Sequence, residues 1–454
     1  MTQKHERPTA DCAQEALLGK VKESERSKPA PLKAPEPVKD GADKDHISLC
    51  LNLHDFERVA RSKLDKRAWI YYSSSSEDSV SFGLNRRDWS EIIFRPRVMR
   101  NVHTVNMKRR MLGHNSSLPI FIAPAALARL GHPDGELCLA RGAMHHNIPY
   151  AVSTASSVSF EELAKCMQLP STDRGTLWFQ LYVKKKRSET EELIRRAQGL
   201  GFKALLITVD TAAVAPREDD DRYKAEVALA AGNQLPQDVF AQTPTEGEEA
   251  PAYRAPYSSK LCWEDLTWIR EAWGDSGPIA VKGVATVEDA VLACRHKVDC
   301  IYLSNHGGRQ LDGSPSTVRT LIEIRQHAPW IFDKCEVLID GGVRRGSDVV
   351  KALCLGAKAV GLGRPFMFAL SAFGTAGVVK AILSKEILLP KLFLPNNPAN
   401  QSIVLNQEIQ TTLRLLGVTS LDELGPHCIN AKALSSLASD DVDSRQLKLL
   451  YPKL

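Results

Sequence analysis

From residue 119 onward the chain repeats one pattern eight times: a short apolar run rich in β-branched residues, then a stretch with helical spacing of its apolar positions. The apolar runs are 119–126, 148–155, 176–183, 203–210, 278–284, 299–305, 335–342 and 359–365. The helical stretches are 135–146, 160–167, 189–200, 264–273, 287–296, 318–327, 348–355 and 366–383. Strands that are apolar throughout are buried on both faces, and a helix between successive strands carries the chain back for a parallel partner. Eight such units predict an α/β chain folded as a (β/α)8 TIM barrel. An open doubly wound sheet is the alternative, but such sheets more commonly hold about five or six strands. The rhythm breaks once. Between Asp210 and the fifth run lies a long loop, 211–261, with an Asp219-Asp220-Asp221 cluster and several prolines. It leaves the C-terminal end of the fourth strand, the rim where barrel enzymes place their chemistry.

The segments outside the repeat set the domain limits. Residues 1–46 carry five prolines, charges of both signs and no aromatic residue, and are expected to form a disordered tail. Leu53, Phe56, Val59, Ala60, Leu64 and Trp69 fall at helical intervals and predict a helical segment ahead of the barrel. The expected organisation is therefore a tail at 1–46, one barrel domain at 47–435 and a C-terminal tail at 436–454. A net charge of +5 over 454 residues is too small to argue for nucleic acid. No uncharged apolar run approaches the ~18 residues of a membrane span. Ten cysteines occur with no Cys-x-x-Cys pair, which fits reduced thiols and no metal site. The start lacks the apolar core of a secretory signal, so an intracellular protein is expected.

In a barrel, the polar residues that end each strand converge on one mouth. Read in order, these are Gln180 and Tyr182, Thr208 and Asp210, Lys282, then Ser304, Asn305 and His306 with Arg309 beyond. The last two strands end in Asp340-Gly341-Gly342-Val-Arg344 and in Gly361-Leu-Gly363-Arg364. Glycines let backbone N–H groups approach a phosphate, and loops after strands seven and eight are the usual phosphate site of barrels. His306 shares the mouth with Asp210, an arrangement that suits a general base and its orienting carboxylate. Arg309 is suited to clamp a carboxylate. Lys282 fits three roles by position: a Schiff-base amine, a phosphate ligand, or a partner for an anionic ring.

Ser304-Asn-His-Gly-Gly-Arg-Gln310 resembles the active-site signature of the FMN-dependent 2-hydroxy acid oxidases and dehydrogenases, the family of glycolate oxidase, lactate oxidase and the flavocytochrome lactate dehydrogenases. Ile122-Ala-Pro-Ala125, Phe179-Gln-Leu-Tyr182, Thr208-Val-Asp-Thr211, Val281-Lys-Gly283 and Asp340-Gly-Gly-Val-Arg-Arg-Gly346 are similar too, as are Ala68-Trp-Ile-Tyr-Tyr72 and Phe94-Arg-Pro-Arg97. The resemblance spans about 47–425. It implies FMN as cofactor, a 2-hydroxy acid as substrate, a 2-oxo acid as product, and O2 or an external acceptor for the electrons. His306 would be the catalytic base, Asp210 the stabiliser of its cation, and Lys282 the cation beside flavin N1 and O2. Tyr71, Tyr182, Arg217 and Arg309 would bind substrate. Pro124, Ala125, Ala126, Ser153, Gln180, Thr208, Lys282 and Ser304 would contact the flavin. Asp340, Gly341, Gly342, Arg344, Gly363 and Arg364 would hold the cofactor through the last two loops, with the phosphate on Gly342, Arg344, Gly363 and Arg364. A homotetramer is implied as well.

Three departures stand out. Ser75-Ser76 replace a common Gly-Ala, and Ala212-Ala-Val-Ala-Pro216 replaces a Pro- and Gly-bearing turn ahead of Arg217. Ala155 stands where relatives carry a larger residue, which leaves room for a substrate bulkier than glycolate. No haem-domain signature precedes the barrel, so an internal haem acceptor is not expected. The C-terminal Pro-Lys-Leu resembles a peroxisomal address, making peroxisome and cytoplasm the two expected compartments. Two other functions fit the bare pattern: a phosphate-binding barrel enzyme without flavin that uses Lys282, and a catalytically degenerate flavin-binding module.

Overall fold

The computed structural model describes residues 46–167, 175–233, 257–382, 404–438, 447, 449 and 450. The expected N-terminal tail (except residue 46), part of the long loop and the C-terminal Pro-Lys-Leu lie outside these residues.

The chain enters through three helices, α1 (Leu53–Lys63), α2 (Lys66–Ser73) and α3 (Val80–Glu91). The single helical face expected for 53–69 is thus two helices. Leu64 and Asp65 are extended, and the Asp65 carboxylate accepts from the N–H of Ala68 to start α2. An Asp that satisfies an orphan N–H favours a new helix start over continuation. α3 was not expected from the pattern. Its Ser79 cap lies in the left-handed region and makes no side-chain cap bond. Its first N–H groups, of Val80 and Ser81, are instead received by Asp312, more than 230 residues away. The short strand β1 (Ile93–Phe94) follows, then a hairpin of β2 (Arg109–Met111) and β3 (His114–Ser116).

The eight apolar runs all form strands: β4 (Ile120–Ile122), β5 (Pro149–Ser153), β6 (Thr176–Leu181), β7 (Leu205–Thr208), β8 (Ile279–Val284), β9 (Cys300–Leu303), β10 (Glu336–Ile339) and β11 (Ala359–Leu362). They pair in parallel and in sequence order, and β11 returns to β4 through Val360↔Ile120, which closes the barrel. The interior is filled by Phe121, Trp178, Tyr302, Leu206 and Leu338 with small Ala151, Ala204, Ala280 and Ala359 between them. Phe121 packs against Trp178 at 5.2 Å and edge-on to Tyr302 at 5.4 Å. Met111 and Leu112 of the hairpin join this interior cluster. The Leu112 N–H donates to Glu336 at the start of β10, so the hairpin closes the N-terminal end.

The outer helices also fall where expected: α4 (Glu136–His145), α5 (Phe160–Met167), α6 (Arg187–Gly199), α8 (Leu266–Trp273), α9 (Val287–Arg295), α10 (Thr317–His327), α12 (Gly346–Cys354) and α13 (Arg364–Ile382). Between them lie α7 (Glu218–Ala230) and the single turn α11 (Ile331–Lys334). α7 corrects the reading of 211–261 as loop. The Asp219-Asp220-Asp221 cluster sits in the first turn of this helix, where negative charge complements the N-terminal dipole.

α13 is interrupted at Phe373 and Gly374, which leave helical geometry. By length and composition it is the one described helix apolar enough to cross a membrane, but 78% of its apolar window is buried inside the fold, where it packs on α1 and α4. α14 (Leu405–Leu416) and α15 (Lys432–Ser435) follow, with β12 (Ile429–Asn430) pairing antiparallel to β1. Ala438 and Leu447, within the segment set apart as a C-terminal tail, are buried.

Candidate active site

One cavity of about 320 Å³ lies across the C-terminal end of the barrel. That is within the roughly 300–1,000 Å³ of ligand pockets. It runs continuously from Tyr71, Tyr182, Arg217, His306 and Arg309 at one side to Gly342, Arg344, Gly363 and Arg364 at the other. Pro124, Ala125, Ala126, Ser153, Lys282, Asp340 and Gly341 line the space between. The loops after all the strands named from the sequence therefore meet in one place.

The loop after β9 is folded by three successive left-handed residues, His306, Gly307 and Gly308. Gly308 has no alternative, since a Cβ there would meet the backbone N of Phe82 at 2.6 Å. A non-glycine residue such as His306 at φ 57° costs free energy and is held there by its surroundings. Its Nδ1 lies 3.0 and 3.2 Å from the two carboxylate oxygens of Asp210. That contact assigns the proton to Nδ1 and leaves Nε2 as the acceptor, 3.2 Å from the Tyr182 hydroxyl. Burial pulls His306 below its ordinary value, with Lys282 and Arg217 in the same direction, while Asp210 opposes them. Burial alone would raise Asp210, but His306 and Lys282 hold it below the usual carboxylate range. Tyr182 is pushed up by burial and by Asp210, so its phenol keeps its proton and donates to Nε2.

Arg309 and Arg217 face the same space. Arg309 donates to the Tyr71 carbonyl at 2.7 Å and lies 5.1 Å from the centre of the Tyr71 ring. Burial, and then Arg217, push its pKa down to about 10. Among the described residues, Arg217 Nε is buried with no partner. Two guanidinium groups close enough to repel each other, one with an unpartnered Nε, form a site for an anion. The departure at 212–216 thus leaves Arg217 within the cavity lining.

At the far side, Arg344 Nε and Asp340 Oδ1 are also buried without partners. Arg344 reaches Glu57 at only 3.5 Å, and burial pushes its pKa down to about 10. Arg364 also lines the cavity. Its N–H groups donate to the carbonyls of Tyr72, Ser74 and Gly307, so it ties α2 to the loop after β9. Gly363 immediately precedes α13, and a Cβ there would meet nothing nearer than Ala123 Cβ at 4.0 Å.

Four named residues lie just beneath the lining. Gln180 donates to the Thr208 hydroxyl at 2.8 Å and accepts from the Thr154 N–H. Ser304 Oγ accepts from Lys282 Nζ and from the His306 N–H, each at 3.2 Å. Asp210 stands behind the imidazole.

Sequence reasoning missed two groups. Tyr257 stacks on Tyr182 with ring centres 4.2 Å apart, and no spacing signal marked it. α3 lies across the loops: Asn85 and Asn305 exchange amide hydrogen bonds of 2.7 and 3.0 Å, and Trp89 Nε1 donates to the Gly341 carbonyl. The same helix contributes Phe82 and Arg86 to the lining. Away from the mouth, His132, Asp134 and Cys138 gather within 4.8 Å of one another, but Asp134 pairs with Arg141 at 2.6 Å and His132 Nδ1 accepts the Asp134 N–H.

The family model for FMN-dependent dehydrogenase matches residues 60–389. Among curated proteins, the chain is 36% identical to L-lactate dehydrogenase (cytochrome) of Wickerhamomyces anomalus, over 86% of this chain and 63% of that one. It is 37% identical to the Saccharomyces cerevisiae L-lactate dehydrogenase (cytochrome), over 85% of this chain and 61% of that one. The chain thus spans less than two thirds of the length of these two relatives. It is 37% identical to Spinacia oleracea glycolate oxidase over 82% of this chain and 94% of that one. Among solved structures, a flavocytochrome b2 mutant with pyruvate bound is similar at a TM-score of 0.72 and 35% identity, covering 86% of this chain and 89% of that one. A mandelate oxidase mutant with (S)-mandelic acid is similar at 0.66 and 32%, covering 84% and 98%.

Proposed function

The chain belongs to the FMN-dependent dehydrogenase family, and we propose on that premise that it oxidises a 2-hydroxy acid to the 2-oxo acid. The observation that carries this reading is the continuity of the cavity. An imidazole backed by a carboxylate and two anion-seeking arginines share one space with Arg344, whose buried Nε lacks an acceptor, among glycine loops.

The residues fit FMN. Arg344 Nε is a buried donor that lacks an acceptor, the opening at Gly363 is of the kind a phosphate occupies, and the start of α13 adds positive potential. Gly342, Arg344, Gly363 and Arg364 would hold the phosphate; Pro124, Ala125, Ala126, Ser153 and Lys282 would flank the ring, with Ser304 bonded to Lys282 and Gln180 to Thr208 beneath the lining. Bound FMN supplies the two-electron acceptor. The chain itself does the rest. Arg309 and Arg217 hold the substrate carboxylate, with Tyr71 beside them. Tyr182 donates toward the substrate oxygen, and His306 Nε2 takes the substrate proton. Asp210 stabilises the imidazolium that results, and Lys282 would supply a cation beside the bound ring.

Relatives are named for lactate and glycolate, and a structural neighbour for mandelate. Ala155, Val214 and Met367 line this cavity, which favours a side chain larger than that of glycolate. The electrons pass to O2 or to a separate acceptor, and the chain assembles as a homotetramer. Anaerobic mixing of the yellow protein with glycolate, lactate, 2-hydroxyoctanoate and mandelate tests the reading. Bleaching by the larger acids, followed by recovery of colour on admission of air or an added acceptor, is the expected result. A colourless protein as purified, or a flavin that none of the acids bleaches, would overturn it.

A further inference from the structure

The closed end of the barrel holds a group the mouth does not use. Cys294 lies in the last turn of α9, and Cys335 is the residue between α11 and β10. They are 41 positions apart, so no sequence spacing links them. Pairing of β9 with β10 brings their units side by side: Glu336, next to Cys335, is in register with Cys300, six residues after Cys294. The two Sγ atoms lie 3.0 Å apart. That is roughly 1 Å longer than a disulfide. The two residues are 9% and 7% exposed, whereas Cys50, Cys138, Cys300 and Cys354 are wholly buried.

We propose that Cys294 and Cys335 form a dithiol site that peroxide converts to a disulfide, clipping together the βα units that end in His306 and in the Gly341-Gly342 loop. This inference stands on the geometry of the closed end and is independent of the reading of the mouth.

The Cys294 thiol donates to Cys335 and holds it below the ordinary thiol value, while Cys294 itself is raised. With the sulfurs 3.0 Å apart either can begin and the other resolve. With Cys335 first, its thiolate attacks one oxygen of hydrogen peroxide, the O–O bond breaks, and sulfenic acid forms as the first water leaves. Cys294 then attacks the sulfenic sulfur; the S–S bond forms and the second water leaves. Two thiols and one peroxide give one disulfide and two waters. The sulfurs are oxidised and the peroxide oxygens reduced. The bond closes a loop that contains β9, the loop bearing Ser304 to Arg309, and α10. Such a link restricts the unfolded chain, so the oxidised form unfolds at a higher temperature.

The test uses the full-length, flavin-loaded protein without substrate, exposed to hydrogen peroxide, denatured in iodoacetamide and digested without reductant. A peptide joining Cys294 to Cys335, with both residues lost from the alkylated pool and restored by dithiothreitol, is expected. In C294S the linked peptide is absent and dimedone labels Cys335 as its sulfenic acid. The flavin spectrum of C294S shows that it is folded. The melting temperature of the peroxide-treated wild type exceeds that of its dithiothreitol-treated form, a difference C294S does not show. Full alkylation of both cysteines after peroxide in the wild type would overturn the proposal, as would linkage of either to a different cysteine.

Discussion

Replacing Asp210 by Asn keeps the shape of the support behind His306 and removes only its charge. The amide oxygen still accepts from Nδ1, so the imidazole stays in place and Nε2 stays the acceptor. What is lost is the attraction between carboxylate and imidazolium once the proton has arrived. The 3.0 Å contact puts the two charge centres about 4 Å apart, and at an effective dielectric near 20 that is worth about 4 kcal/mol. The His306 and Asp210 side chains are 20% and 10% exposed, so solvent screens a part. About 3 kcal/mol remains, and at ~1.4 kcal/mol per tenfold the rate of flavin reduction should fall roughly 100-fold. A second signature separates this from disordered packing. Without the anion, His306 loses the one neighbour among its main influences that raises its pKa, so the acid limb of the rate moves to lower pH as the plateau drops. Anaerobic stopped-flow bleaching across pH 4–9 reads both. A plateau within about threefold of wild type, or an acid limb that moves upward, would refute the assignment of Asp210 as the stabilising charge.

In the wild type the acid limb should lie below pH 6.5, because burial depresses His306 and the neutral ring is the competent base; a midpoint above 6.5 in the same assay would contradict the burial argument. Arg344→Gln removes the buried donor that lacks a partner, so the variant should purify with substoichiometric FMN by absorbance ratio and recover activity when FMN is added in excess; full occupancy would show that the arginine is not a phosphate ligand. Ala155→Leu should lower kcat/KM for mandelate and 2-hydroxyoctanoate at least tenfold while sparing glycolate; equal loss on every acid would place the residue away from the substrate side chain. His146 is buried and held neutral, with a pKa of about 4 against 6.5 when exposed. Between those values the unfolded chain binds a proton that the native chain does not, so stability falls as pH drops from 6.5 to 4, by up to ~3 kcal/mol. Urea unfolding of His146→Phe should lose that part of the acid sensitivity; an unchanged slope would locate it elsewhere.

The barrel was legible because its signal is periodic and redundant. Each strand from β4 to β11 is dominated by apolar residues, and eight of them between helical stretches leave few topologies. The mouth was legible for the same reason, since parallel strands deliver their C-terminal residues to one side. The failures share a different cause. α3 has a weak amphipathic pattern, because its Asn85 and Asp88 face inward to bond Asn305, Ser316 and Arg319 rather than apolar side chains. Its N-terminus is capped by Asp312 across the fold rather than by its own Ser79. α7 was hidden by its acidic cluster, which reads as solvated loop but favours a helix start. The division of α1 from α2 turns on one side-chain bond from Asp65. The stacking of Tyr257 on Tyr182 and the meeting of Cys294 with Cys335 are long-range juxtapositions, set by packing and not by spacing.

That α3 comes before the barrel yet grips the loops after β9 and β10 divides the molecule in an uneven way. Hydrophobic filling by Phe121, Trp178 and Tyr302 makes the ring of strands self-sufficient, whereas the position of His306 is borrowed from a segment some 220 residues upstream. Transplanting residues 109–382, closing hairpin included, into another scaffold should therefore yield a sound cylinder with a slack rim. An engineer who wishes to keep the chemistry must carry the entry helices along, and one who wishes to retune it can do so from there without disturbing a single strand.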